Sequence, residues 1–180
     1  MKEVVVGDDK DNDVILVARV DGVLYAVSPK CTHYGVNLKY GMLVGDRVYC
    51  PAHTASFSVI TGYPDGGPVF KGLQTYEVWE EKGKVFVKAP KVIKNHKKDM
   101  PMAKQDLTNL ERYVIVGGGV AGLSAAESLR QGGFTGEICM LSGEQWLPYD
   151  RTVASKNIMG INPEGIQLRS REWLAEHGIK

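Results

Sequence analysis

Cysteine is scarce in this chain, with three among 180 residues. An odd count with no export leader in front of it argues against a disulfide framework, and metal or cofactor binding is the better use for the thiols. Long apolar runs are missing too, since nothing approaches the roughly 18 residues that would span a bilayer. Excess charge is equally absent. Lysine and arginine number 22 against 21 acidic residues, so no overall field draws the protein onto nucleic acid or an anionic membrane. The opening MKEVVVGDDKDND has neither the apolar core of a secretory signal nor the Arg/Ser-rich character of a transit peptide, which leads to the expectation of a cytoplasmic protein. Trp79, Trp146 and Trp173 are too scattered to form a stacking platform and read as packing residues. What remains is a chain with 43% apolar residues, enough for one ordinary core or two small ones.

Residues 1–88 carry short β-rich runs separated by turn signals: VILVARV, Asp21-Gly22, VLYAV, RVYC, TGYPDGG, then YEVWEEKGKVFVKA. The last run alternates apolar and polar residues around Glu81-Lys82-Gly83 and predicts a hairpin. Residues 89–110 are lysine-rich and lack sustained periodicity, so they read as an extended linker. Without interleaved aromatics, this lysine run does not make a nucleic-acid-binding tail. Beyond it the period changes. ERYVIVGGGVAGLSAAESLRQGGF predicts a buried strand, a glycine turn and a helix with Leu123, Ala126 and Leu129 on one face, stopping at Gly132-Gly133. EICMLSGE follows as a second buried strand, then an irregular stretch, then a short helix REWLAEH between Ser170 and Gly178. The predicted class is therefore β followed by α/β: an antiparallel all-β domain and the first part of a Rossmann-like domain over 111–180.

The stretch CTHYGVNLKYGMLVGDRVYCPAH sets Cys31 and His33 ahead of Cys50 and His53. Two thiolates and two imidazoles can hold one zinc tetrahedrally or a two-iron cluster. In the cluster reading each segment supplies one Cys and one His, so that Cys31 and Cys50 take one iron and His33 and His53 the other. Common zinc fingers pair Cys with Cys and His with His along the chain, an order this sequence does not follow. Zinc in an interaction module stays open as the alternative.

Cys31-Thr-His33-Tyr-Gly35 and Cys50-Pro-Ala-His53 resemble the two ligand loops of Rieske iron–sulfur proteins. Leu38, Gly41, Phe57, Thr61-Gly62, Pro68, Leu73 and Tyr76 follow in the order usual for that family. The resemblance covers about the first 88 residues. Thr54 departs from it, standing where the family usually has Gly, and a β-branched residue there is strained if the loop needs a positive φ. Tyr34 and Ala52 occupy the places where respiratory Rieske proteins carry two further cysteines, and Ala55 that of a serine near the cluster. Losing that hydroxyl implies a potential low in the range of about −150 to +300 mV for such centres.

Gly117-Gly-Gly119-Val120-Ala121-Gly122 follows a predicted strand and opens a helix, with Glu144 22 residues beyond Gly122. This is the dinucleotide fingerprint: glycines for the turn, for pyrophosphate approach and for helix packing, with the acid for a ribose hydroxyl. Leu147-Pro-Tyr-Asp-Arg151 with Ser155-Lys156 resembles a segment of flavin-dependent ferredoxin reductases and apoptosis-inducing-factor-like proteins. That resemblance implies FAD, with Arg151 and Lys156 lying against the flavin and its phosphates. Thr152, Val153 and Ala154 replace the family's Pro-Pro-Leu, which suggests a less rigid loop.

A Rieske domain joined to a flavoprotein opening resembles the Rieske-bearing reductases. These take hydride from NAD(P)H onto FAD and pass electrons singly to an iron–sulfur centre and a redox partner protein. No second glycine fingerprint is present, so the chain reads as truncated or a fragment, with NAD(P)H binding only if a missing domain is present. The Rieske domain is expected to stand alone, and residues 111–180, with two clear strands, to fold loosely. A self-standing ferredoxin-like electron carrier is the alternative, and the best reading of the chain as it stands. Cys139 is a small buried hydrophobe, and His96 and His177 are surface residues.

Overall fold

The computed structural model describes residues 1–6, 13–90, 93, 97–156 and 162–180. They form two compact units, Met1–Met100 and Pro101–Lys180. The first contains β1 (Lys2–Val5), β2 (Val14–Val20), β3 (Val23–Val27), β4 (Met42–Val44), β5 (Arg47–Tyr49), β6 (Ser56–Ser58), β7 (Pro64–Gly66), β8 (Gly72–Leu73), β9 (Thr75–Glu81), β10 (Lys84–Lys88) and β11 (Lys97–Lys98). A five-stranded antiparallel sheet runs β1-β2-β3-β9-β10, and a four-stranded one runs β4-β5-β6-β7. Two hairpins set the register of the larger sheet. Val20 faces Val23 across Asp21-Gly22, and Glu81 faces Lys84 across Lys82-Gly83. All four loop residues have positive φ, the twist that two-residue hairpins need.

Between the sheets lies a core of Leu16, Ala18, Val27, Leu38, Val48, Phe57, Val59 and Leu73, and Cys31, Cys50 and Ala55 belong to it. The other face of β2 is apolar as well. Ile15, Val17 and Ala26 pack there with Ile93, and Val4, Val78 and Val87 lie against them. The segment read as an extended linker therefore differs from that reading. Ile93 is 6% exposed, its N–H donates to Asp13 Oδ1, and Lys97–Lys98 pair with Gly72–Leu73. The reason is that VILVARV is apolar on both faces, and burying one isoleucine is worth about 1.5–3 kcal/mol.

The second unit contains β12 (Arg112–Val116), α1 (Val120–Gln131), β13 (Glu137–Leu141), α2 (Arg151–Lys156) and α3 (Arg171–Glu176). β12 and β13 are parallel with α1 between them, a βαβ opening. Ile179 adds a parallel bridge to Ile138, and Lys180 exchanges backbone hydrogen bonds with Ile138 and Met140. The sheet thus has a third position beyond the two expected strands. α1 buries Gly122, Leu123, Ala126, Glu127 and Arg130. Its inner face is therefore turned from the Leu123-Ala126-Leu129 stripe toward two charged residues. Arg130 is fully buried, and its guanidinium donates to the carbonyls of Phe134, Gly136, His177 and Gly178. Arg169 makes a two-pronged pair with Glu127 at 2.8 and 3.0 Å, with both side chains buried.

The stretch after Pro148 was read as irregular, but residues 151–156 form a helical turn. Asp150 Oδ1 accepts the N–H groups of Thr152 and Val153, donors that the prolines of the resembling family would lack. Ser170 caps α3 by accepting from Trp173 N–H, and Gly178 follows with φ +61°. Among the described residues no helix is long and apolar enough to cross a membrane. His96 lies outside the described residues.

Candidate electron-transfer centre

Cys31 and His33 lie between β3 and a single 3-10 turn, Leu38–Tyr40; Cys50 and His53 lie between β5 and β6. The two loops carry the same hydrogen-bond frame. In the first, Cys31 N–H donates to Val36 O at 2.8 Å, and Gly35 N–H to Cys31 O at 2.9 Å. In the second, Cys50 N–H donates to Ala55 O at 2.8 Å, and Thr54 N–H to Cys50 O at 3.1 Å. Each ring closes on a left-handed residue, Gly35 at φ +73° and Thr54 at φ +56°. The strain expected of Thr54 is therefore present. Its hydroxyl donates to the His53 carbonyl at 2.7 Å.

Cys31 and Cys50 are 3% and 2% exposed and stand within hydrogen-bond reach of each other. Burial pushes the Cys31 thiol up to about 11; the Cys50 thiol pushes the same way, and backbone N–H groups of His33 and Tyr34 pull against both. Amide donors aimed at a sulfur are the kind of contact that stabilises thiolate in a metal site. The imidazoles of His33 and His53 form a second like pair, centroids 5.0 Å apart at 74°. Two like pairs suit two metal atoms, one for the thiolates and one for the imidazoles.

Other residues hold the first loop, and the sequence reading missed them. Asn37 Oδ1 accepts Lys39 N–H at 2.9 Å and caps the 3-10 turn. From β1, Glu3 accepts from Asn37 Nδ2, and from Lys39 Nζ at 2.6 Å. Thr32, buried, donates to Lys71 O at 2.7 Å. Asn37 before an apolar residue carries a capping signal; Glu3, 34 positions away in sequence, carries none.

In the second unit the glycine turn is tight. A side chain on Gly122 would come within 1.9 Å of the Gly117 carbonyl, whereas in front of Gly117 the space is open. Gly119 is the N-cap of α1 and supplies no side-chain cap, leaving the first-turn N–H groups of Val120, Ala121 and Gly122 to the helix dipole. The Arg151 guanidinium stands 4.0 Å from where a Gly119 side chain would begin. Glu144 accepts from Arg151 Nη2 and from Tyr149 Oη at 3.0 Å. Gly119, Glu144 and Arg151 are thus brought together, while Lys156 closes α2 with an exposed side chain. Cys139 is half-buried in β13, more open than a core residue. His177 caps α3 and stacks on Trp173.

The model of the Rieske [2Fe–2S] domain matches residues 1–77, and that of the pyridine nucleotide-disulphide oxidoreductase domain matches residues 111–176. Apoptosis-inducing factor 3 of Homo sapiens is 36% identical over 186 aligned positions covering the whole chain, which spans 30% of that protein's length. Ferredoxin CarAc of Metapseudomonas resinovorans is 38% identical over 77 residues, 43% of this chain and 72% of the ferredoxin. A Sphingomonas yanoikuyae B1 ferredoxin structure aligns with TM-score 0.44 and 32% identity, over 49% of this chain and 85% of that one. The chain belongs to the Rieske [2Fe–2S] family of ferredoxin-like electron carriers, and its Rieske domain is followed by the start of a pyridine nucleotide-disulphide oxidoreductase domain, which in the full-length family carries FAD.

Proposed function

We propose that this chain passes single electrons between a flavoprotein and a redox partner protein. Cys31 and Cys50 serve as thiolate ligands to one iron of a [2Fe–2S] cluster, and His33 and His53 as ligands to the other. The observation that carries this reading is the doubled loop frame, which brings like donor to like donor, buried thiols in one pair and imidazoles in the other. Bound there, the cluster supplies a one-electron store. The protein's part is to hold the four donors, to aim the N–H groups of His33 and Tyr34 at the Cys31 sulfur, and to leave His53 at the surface. Ala55 offers no hydroxyl, which supports a low potential.

Toward FAD, the open turn at Gly117, the bare N-terminus of α1 at Gly119 and the nearby Arg151 cation make a cradle for a diphosphate. Val120, Ala121 and Gly122 present their N–H groups to it, Glu144 binds a ribose hydroxyl, and Lys156 neutralises phosphate charge. In the full-length protein electrons pass from NAD(P)H through FAD to the cluster, the flavin converting a two-electron donor into single-electron steps.

The test is iron and zinc content, visible absorption and low-temperature EPR of the anaerobically purified chain. Two irons per chain with a Rieske-type signal in the reduced protein are expected, and substitution of His33 or His53 should abolish that signal. One zinc and no colour would overturn the reading in favour of an interaction module. Flavin retained by the wild type but lost from a Gly119→Leu variant is the outcome expected for the second unit.

A further inference from the structure

Tyr34 is 48% exposed, so burial does not account for its place. Its ring stacks on His33 with centroids 3.8 Å apart at 26°, and meets His53 of the other loop edge-on at 5.8 Å and 75°. The three rings therefore touch pairwise. Stacked and edge-on contacts are the favourable geometries for aromatic pairs. Tyr34 belongs to the first loop, yet its ring meets the histidines of both. The two histidines are also unequal: His33 is half-buried under the tyrosine, whereas His53 is exposed.

We propose that Tyr34 is a positioning residue that fixes the orientation of both imidazoles and ties the tip of the first loop to the second. This rests on the reading of His33 and His53 as cluster ligands. A side chain that sets the planes of both ligand rings acts on what those rings do to a bound centre. Its removal should therefore be visible in a spectrum and a potential, which a purely structural surface residue would not alter. The stacked and edge-on contacts are made by the ring, so phenylalanine should preserve them where leucine does not.

The experiment compares the full chain with Tyr34→Phe and Tyr34→Leu. The leucine variant keeps apolar bulk at an exposed position and removes the ring. Four quantities are measured: iron per chain, EPR g-values of the reduced protein, midpoint potential, and the rate of iron release to a chelator. Tyr34→Phe should match wild type in all four. Tyr34→Leu should shift or broaden the EPR signal, move the potential, and release iron about three- to tenfold faster. Complete loss of iron from Tyr34→Leu, with Tyr34→Phe unaffected, supports the same role. A Tyr34→Leu protein identical to wild type in g-values and release rate overturns the proposal alone. So does a Tyr34→Phe protein as perturbed as the leucine variant, which would place the effect in the hydroxyl. A wild-type chain without a two-iron signal would overturn the ligand reading itself, and this one with it.

Discussion

Thr54 holds a conformation that glycine adopts freely and a β-branched residue does not, while its counterpart in the first loop, Gly35, is already glycine. Relief of left-handed strain is worth about 1–2 kcal/mol, and the added chain entropy of glycine returns about 0.5–1 kcal/mol of it. Thr54→Gly is therefore expected to raise the melting temperature of the first unit by a few degrees, measured by calorimetry on the loaded chain. No change, or a fall, would mean that the hydroxyl bond to His53 O outweighs the strain. Glu3 makes a second residue-scale prediction. Burial pushes its carboxyl up, but the hydrogen bonds from Lys39 and Asn37 prevail and hold it below its ordinary value of 4.5. A carboxyl depressed in the folded state contributes stability above its unfolded pKa and loses it as pH falls through the folded one. The stability gap between wild type and Glu3→Gln should thus be full near neutrality and close as pH falls through and below the ordinary value of 4.5. A gap independent of pH would show that charge plays no part. The strain at Thr54 was legible in the sequence because a family position names glycine. The Glu3 contact was not, because strand β1 meets the first loop only through the fold.

Elements show where periodicity stops being informative. The stripe on α1 was legible through Leu123 and Ala126, yet its most buried long side chain is Arg130, which any pattern of apolar residues counts as surface. Four carbonyl partners account for it. Arg130→Met removes those donors and should cost the second unit about 3 kcal/mol or more, read from denaturant unfolding. The Glu127–Arg169 pair behaves differently according to how it is cut. Glu127→Ala strands a buried guanidinium and should cost about 3–5 kcal/mol, whereas the double substitution Glu127→Leu with Arg169→Met should be close to neutral. If the double variant is as unstable as the single one, the pair is more than self-compensation. Ile93 and Lys97–Lys98 depart from the linker expectation for 89–110 for a related reason. The cue lay in β2, where five consecutive buried residues cannot share one face of a sheet, so something had to cover the other.

Across the whole molecule, the class was readable because it depends on local motifs, and the same motifs, two Cys/His loops and one glycine turn, named the candidate donors. What the sequence left unread depends on residues far apart, Glu3 with Asn37, Ile93 with β2, Arg130 with the chain's last turn. Each unit keeps its own core, and all four carbonyl partners of Arg130 lie in the second. Arg130→Met should accordingly leave iron content and the EPR line shape of the first unit at wild-type values. Strand β12 has a practical consequence. Among the described residues it pairs only with β13, and Tyr113, Val114 and Val116 are 51%, 53% and 85% exposed. An apolar strand with a free edge is a template for further strands, so a concentrated stock is expected to associate there. Light scattering that grows with concentration, and that a lysine in place of Val114 suppresses, would trace cloudy samples to this edge and not to loss of the cluster.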